Sequence, residues 1–583
     1  MAAGAGTGYL GLPVSPDDLT HGRFVADVAA RYGDREALVF GDRRLTYAEL
    51  NDEVRAFGRG LLALGVAKGT KVALLLGNRP EFVVAAYGAA LVGAVVVPVS
   101  TLASSHERDY VLAHCDAALL VTQPAVLGHS LLDRLLDDHP ELAAAEPGRI
   151  AVPSFPHLRR IVCVDPPPER PGVDAWDRVA EAGRAMSDEV LDAAAASVHP
   201  TDDALVIYTS GTTANPKAVL HAHRGPVLQS WRWAEQLRHD PDDRIWSPFP
   251  FFWTAGLAMV LGGTLARGAC LVCQDGFEPG AALELIERER VTIVHSFAHV
   301  EAQLVAHEDA RRRDLSSLRR VMRNSPLRQI ADFPEDTGDP GAAFGLTETF
   351  TIATSIPSDS PLELRETTHG VALPGMAVRI VDPDSGAALG IGETGEIAVK
   401  GVTLMRGYYK VPPEECFDDE GWFRTRDSGH LDDRGYLHWA GRLSTLIKTA
   451  GANVSPAEVE EALKRWGRLK LASVVGVPHP VLGEAVVLCA IPGVEPVTEA
   501  EVVAHLRSVV ASYKVPKRVV FLDDGDVSFT GNQKVRVEDV QALAVRRLAD
   551  GDDDWARFLR ASTATEATLA AGAATAATAA GKG

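Results

Sequence analysis

The sequence predicts an α/β protein: a large N-terminal lobe of mixed and parallel sheets covered by helices, followed by a small α+β C-terminal domain. Three observations predict it. The first half alternates short, unbroken apolar runs with segments of helical periodicity, the pattern of parallel strands buried on both faces by crossover helices. At 583 residues the chain exceeds the roughly 250–300 at which one hydrophobic core stops growing. Near Gly441-Arg442 its character changes, and a compact segment with its own strands and helix start follows. Residues 1–441, 442–545 and 546–583 therefore read as large lobe, small domain and Ala/Thr-rich disordered tail.

The elements follow in order. Thr46 and Glu49 form a capping box ahead of Leu50, Val54, Phe57 and Leu61, which share one helical face until Gly65 stops the helix. Residues 71–76 are apolar and short enough for a buried strand, 81–91 read as a helix, and 94–99 as the next strand. Ser104 and Glu107 cap a further helix before the strand 117–121. Residues 164–175, rich in proline and charge, and 331–342, rich in proline, glycine and acid, read as surface loops. In the small domain Ser455, Pro456 and Glu458 spell a helix start with proline at its first position. The last residues, 561–583, have too few branched or aromatic side chains to pack.

Charge narrows the function. The 78 acidic against 58 basic residues give a net charge of −20, which repels nucleic-acid backbones and anionic lipid surfaces. A phosphate-bearing ligand must then be held by local donors and a metal ion against the overall field. The cysteines, Cys115, Cys163, Cys270, Cys273, Cys416 and Cys489, are too scattered for a disulfide framework. Cys270 and Cys273 form a CxxC without a second pair and read as a packed strand. The N-terminus lacks a signal-peptide pattern and no window offers ~20 uncharged apolar residues, which predicts a cytoplasmic protein without a membrane span.

One loop carries chemistry. The apolar strand 204–208 empties into Thr209, Ser210, Gly211, Thr212 and Thr213, with Lys217 just beyond. Backbone N–H groups, hydroxyls and one point charge at a strand end suit a polyphosphate. The loop is not a Walker A motif, because no Gly-Lys-Ser/Thr closes it. A Ser/Thr-rich turn explains the composition equally well, though not the lysine and proline at that distance from a buried strand.

The loop resembles the phosphate-binding signature of the adenylate-forming superfamily of acyl-CoA synthetases, peptide-synthetase adenylation domains and luciferases. Four further segments resemble that family in the same order, over residues 20–545. Phe344-Gly345-Leu346-Thr347-Glu348 resembles its aromatic-Gly-x-Thr-Glu motif, in which the aromatic packs on adenine, the threonine contacts phosphate and the glutamate holds Mg²⁺. The segment 421–427 resembles the one whose aspartate, here Asp427, takes the ribose hydroxyls. Arg442, Lys448 and Gly451 match the hinge and thiol-acceptor loop, and 530–536 matches the segment carrying the catalytic lysine, here Lys534.

The resemblance implies an enzyme that uses ATP and Mg²⁺ to activate a carboxylic acid as its acyl-AMP, then passes the acyl group to coenzyme A. Lys534, Lys217, Thr347 and Glu348 are its implied catalytic residues, with Glu348 and Thr209 at the metal. It also implies a mobile small domain that swings between the two steps. Phe252, Trp253 and Gly256 fall where the family's acyl pocket is gated, and Trp253 replaces a common histidine there. This suggests an apolar acid, although a plain core aromatic fits as well. His223 reads as structural.

This chain departs from the family at Ala214 and Ala218 in the phosphate loop, at Arg426 where Thr-Gly-Asp is usual, at Ser444 in the hinge, and at Arg323–327 in place of the usual adenine shelf. Two other readings stay open: a different acceptor or substrate, such as a carrier-protein phosphopantetheine or an oxyanion like nitrite, and a silent nucleotide-binding relative. Retention of Lys217, Glu348, Asp427, Arg442 and Lys534 together argues against the last.

Overall fold

The computed structural model describes residues 9–165, 172–209, 215–322, 325–334, 342–443, 447–493, 495–523, 526 and 537–562. The fold is mixed α/β, as expected, and the chain divides into two compact units. One runs to Thr209 and from Lys217 to Leu443, and the other's main segment begins at Ser444.

An eight-stranded sheet forms the backbone of the first unit. Its strands lie in the order Gly407–Tyr408, Lys217–Ala222, Asp203–Thr209, Val95–Pro98, Lys71–Leu75, Ala117–Thr122, Arg160–Cys163 and Val173–Ala175. From Asp203–Thr209 onward neighbours are parallel, whereas the first two strands are added antiparallel. The strand Val173–Ala175 corrects the reading of 164–175 as a loop throughout. Backbone pairing with Ile161–Cys163 recruits it despite the proline-rich approach.

Helices cover the sheet as the periodicity predicts. Thr46 and Ser104 both make complete capping boxes with Glu49 and Glu107. The helix Pro80–Leu91 is buried at every residue, which is why its sequence is apolar all round instead of striped. A second, five-stranded sheet contains Cys270–Cys273 between Arg244–Trp246 and Glu36–Phe40. Both thiols are buried, and burial pushes Cys270 up to about 12; they are packing residues. A four-stranded antiparallel sheet of Met376–Val381, Gly395–Gly401, Phe423–Leu431 and Leu437–Arg442 completes the unit.

In the second unit Leu469–His479 and Gly483–Pro492 form a long hairpin, with Ile447–Thr449, Ala452–Val454 and Arg518–Phe521 alongside. The helix Pro456–Trp466 begins where expected, with proline in its first turn, but without the side-chain cap that Ser455 and Glu458 suggest. The Glu458 carboxylate is instead taken by the buried ammonium of Lys514 at 2.6 Å. A larger correction concerns the tail. The helix Val537–Ala549 runs past residue 546, and a further helix over 554–562 buries Trp555 and Leu559 against the sheet. The Trp555 Nε1–H donates to the Pro478 carbonyl at 2.7 Å. Residues 563–583 lie outside the described residues. Among those described, no helix is long and apolar enough to cross a membrane.

Candidate active site

The phosphate-loop strands pair as a hairpin with Thr209 opposite Lys217. Ser210, Gly211, Thr212 and Thr213 lie outside the described residues, as does Lys534. The edge strand Gly407–Tyr408 lies beside the second arm, with Tyr408 opposite Val219. That placement brings three side chains together. The Lys217 Nζ sits 4.7 Å from the centre of the Tyr408 ring, within cation–π range. The Tyr408 hydroxyl donates to Glu348 Oε1 at 2.7 Å. The Met405 N–H donates to the Glu348 carbonyl at 2.7 Å, so residues 405–408 hold Glu348 by backbone and side chain alike. Burial lowers the pKa of Lys217, the Arg426 guanidinium lowers it further, and Glu348 opposes both.

Glu348 belongs to a tightly folded segment. The Gly345 Cα faces the Thr351 carbonyl so closely that an added Cβ would stand 1.6 Å from that oxygen. Thr347–Thr349 make one 3₁₀ turn, and Phe350 and Thr351 follow at φ of 49° and 94°, conformations that non-glycine residues adopt at a cost. Two residues that sequence reasoning missed support this segment. The His221 Nε2–H donates to the Thr347 carbonyl at 2.8 Å. The Gln229 amide donates to the Thr349 and Ile352 carbonyls at 2.9 and 2.6 Å. Burial pushes the His221 imidazole down to about 4, so it is neutral and its single N–H is committed to that carbonyl. Lys217, Val219 and His221 alternate along one strand, and the period of two puts them on one face. That spacing was the available signal. Phe344 itself is buried.

Asp427 lies on the strand Phe423–Leu431, opposite Arg442. Its carboxylate is 1% exposed and accepts the Trp439 indole N–H at 3.1 Å. Lys448 and Gly451 belong to the second unit. They sit on the Ile447–Thr449/Ala452–Val454 hairpin, where Gly451 takes φ of +82° in the turn and the Lys448 N–H donates to Glu484. Ser444 lies outside the described residues, as do Arg323 and Asn324.

In the aromatic block Phe252 is buried and Trp253 half-buried, their rings edge-to-face at 5.9 Å. Gly256 permits the turn there, because a Cβ would stand 2.0 Å from the Pro250 carbonyl oxygen. It opens a π-helical run, Gly256–Gly262, of a kind frequent at functional sites. Leu257 and Leu261 from that run line a small interior space with His21, Tyr87, Ser230 and Phe350. His223 is fully buried, with its Nδ1 2.9 Å from that of His21, which suits a structural histidine.

The sequence model of the AMP-binding enzyme family matches residues 25–409, and that of the AMP-binding enzyme C-terminal domain matches 458–534. A 3-[(3aS,4S,7aS)-7a-methyl-1,5-dioxo-octahydro-1H-inden-4-yl]propanoyl:CoA ligase of Rhodococcus jostii is 32% identical over 504 residues, covering 85% of this chain and 93% of its own. A feruloyl-CoA synthase of Amycolatopsis sp is 31% identical over 514 residues, covering 86% and 94%. Among solved structures, the amide bond synthetase McbA from Marinactinospora thermotolerans superposes with a TM-score of 0.70 at 26% identity, over 90% of this chain and 99% of that one.

Proposed function

The chain belongs to the AMP-binding enzyme family, and from that premise we propose that it is an ATP-dependent acyl-CoA ligase for an apolar carboxylic acid. The observation that carries the reading is the convergence of Lys217 and Glu348 on Tyr408 at the mouth of the phosphate-loop hairpin.

An acid with a pKa of ~4 is already ionised at neutral pH, so its attack on the α-phosphate requires no general base. It requires alignment and cancellation of charge. The carboxylate oxygen forms a bond to the α-phosphorus while the bond to pyrophosphate breaks, giving acyl-AMP. Lys217 and the hydroxyls of Thr209, Ser210, Thr212, Thr213 and Thr347 neutralise and hold the departing pyrophosphate. A partly desolvated ammonium is worth more there than a hydrated one. Asp427 orients the ribose, and Lys534 stabilises charge as the transition state develops.

The oxygen donors present fit Mg²⁺, which takes one or two carboxylates and completes its shell with phosphate and water. Glu348, with Thr209, would hold it, and the ion would supply positive charge to the phosphates. In the second step the coenzyme A thiol, reached past Lys448 and Gly451, attacks the acyl carbonyl and AMP leaves. Trp253 and Phe252 favour an apolar acid.

The test is pyrophosphate release over a panel of acids, with and without coenzyme A. Release that depends on the acid, with thioester formed, is the expected result; ATP binding without release under any acid would overturn it. An amine acceptor is the second reading, favoured by the likeness to an amide bond synthetase. Adding amines to the same assay separates the two, because amide would then form where thioester does not.

A further inference from the structure

The strand Gly407–Tyr408 lies at the edge of its sheet and is two residues long, so few ladder bonds fix it. Successive residues of an extended chain face opposite ways. Tyr408 turns to the Lys217 side, and Tyr409 packs on the reverse side with Tyr208 and Ala218. There one carboxylate takes the next two side chains of the edge. Asp116 Oδ2 accepts from the Tyr409 hydroxyl and Asp116 Oδ1 from the Lys410 ammonium, each at 2.9 Å. Asp116 occupies the turn between the helix Ser105–His114 and the strand Ala117–Thr122. Both ends of this ion pair hold left-handed backbone, with φ of 57° at Asp116 and 63° at Lys410, which non-glycine residues keep only where their surroundings impose it. The same helix end braces the strand that leads into the phosphate loop, since His114 Nδ1 lies 2.7 Å from the Tyr208 hydroxyl. On the other flank of the edge strand, the Arg406 guanidinium donates to Asp203 at 2.7 Å.

We propose that Asp116 is a positioning residue for the nucleotide site: by fixing Tyr409 and Lys410 it sets the place of Tyr408, and through Tyr408 that of Glu348. A partly exposed ion pair adds little to stability, so what the clamp contributes is geometry. The Tyr408 hydroxyl reaches Glu348 at 2.7 Å, and a displacement of about 1 Å at the edge strand breaks that bond. The inference rests on the reading of this site as a Mg·ATP site.

Isothermal titration calorimetry of ATP into the full chain tests it, at limiting and at saturating Mg²⁺. Asp116→Ala is expected to weaken ATP about fivefold at limiting Mg²⁺ and less than about twofold at saturation, the same signature as Tyr408→Phe. Because Asp116 acts through Tyr408, the double variant is expected to lose no more than about fivefold, where independent effects would multiply to about 25-fold. Tyr409→Phe removes one hydroxyl and leaves the ion pair; it is expected to lose about threefold, and carries the same test should Asp116→Ala fold poorly. Unchanged affinity in both Asp116→Ala and Tyr409→Phe, an equal loss at both Mg²⁺ levels, or multiplying effects overturn the proposal while leaving the ATP reading intact. A wild-type chain that binds no ATP overturns both.

Discussion

Tyr408 joins the two charged groups of the site through opposite parts of one side chain, its hydroxyl on Glu348 and its ring face under Lys217. Tyr408→Phe keeps the face and loses the hydroxyl. The Mg²⁺ concentration giving half-maximal activity is expected to rise about fivefold, with little change at saturating Mg²⁺. Equal loss at every Mg²⁺ concentration would show that the hydroxyl does not position Glu348. Glu301 offers a test of burial. It is 1% exposed, and burial pushes its carboxyl up to about 7 against the opposing hydrogen bond from Ser325. An unfolded glutamate titrates at ~4.3. Between these values the unfolded chain has released a proton that the folded chain keeps, so stability falls as pH rises through that window and levels off above it. Glu301→Gln is expected to match wild type near pH 4.5 and exceed it by on the order of 3 kcal/mol at pH 8, read by denaturant melts. An advantage independent of pH would contradict this. Lys217, Glu348 and Asp427 could be singled out in the sequence because motifs carry them, and the structure brings the first two together at Tyr408. Tyr408 and Gln229 could not, since a side chain that bonds a distant carboxylate or carbonyl leaves no local pattern, whereas His221 shares the alternate spacing of Lys217 along its strand.

Among elements, the capped helices were the most readable, because a capping box is satisfied within four residues and needs nothing from the fold. The strand Val173–Ala175 was hidden by its proline-rich approach, and depends on pairing with a strand the local sequence does not specify. The last helix was hidden by its alanine-rich setting, although Trp555 and Leu559 stand four apart, on one helical face. Trp555→Ala is expected to destabilise the second unit by about 3 kcal/mol, and a chain ending at Ala549 by at least as much. A thermal melt that leaves either variant unchanged would restore the reading of this region as a tail. At the active-site segment, Gly345→Ala forces a Cβ to within 1.6 Å of the Thr351 carbonyl oxygen. The 3₁₀ turn carrying Glu348 must then move. Adenylation is expected to fall at least about a hundredfold, while stability, read by the same melt, changes far less.

At the scale of the molecule, a strongly acidic chain brings Lys217 and Glu348 to one tyrosine, and the proposed function would divide the chemistry between a large unit and a small one. The division into two units was legible from length and from the change of character near residue 441, and the family from five motifs in order. The acid was not, because the local sequence does not fix which side chains from separated segments would face it. Lys534→Ala is expected to abolish acyl-AMP formation while supplied acyl-AMP still reacts with coenzyme A; equal loss of both half-reactions would remove its assigned role. The most direct measurement is the identity of the nucleotide product, followed by phosphorus NMR with a responsive acid and no coenzyme A. The expected products are AMP and pyrophosphate, formed at least about a hundredfold more slowly by Lys217→Met and by Glu348→Gln. ADP and orthophosphate as products, or an undiminished rate in Lys217→Met, would contradict adenylation at this site.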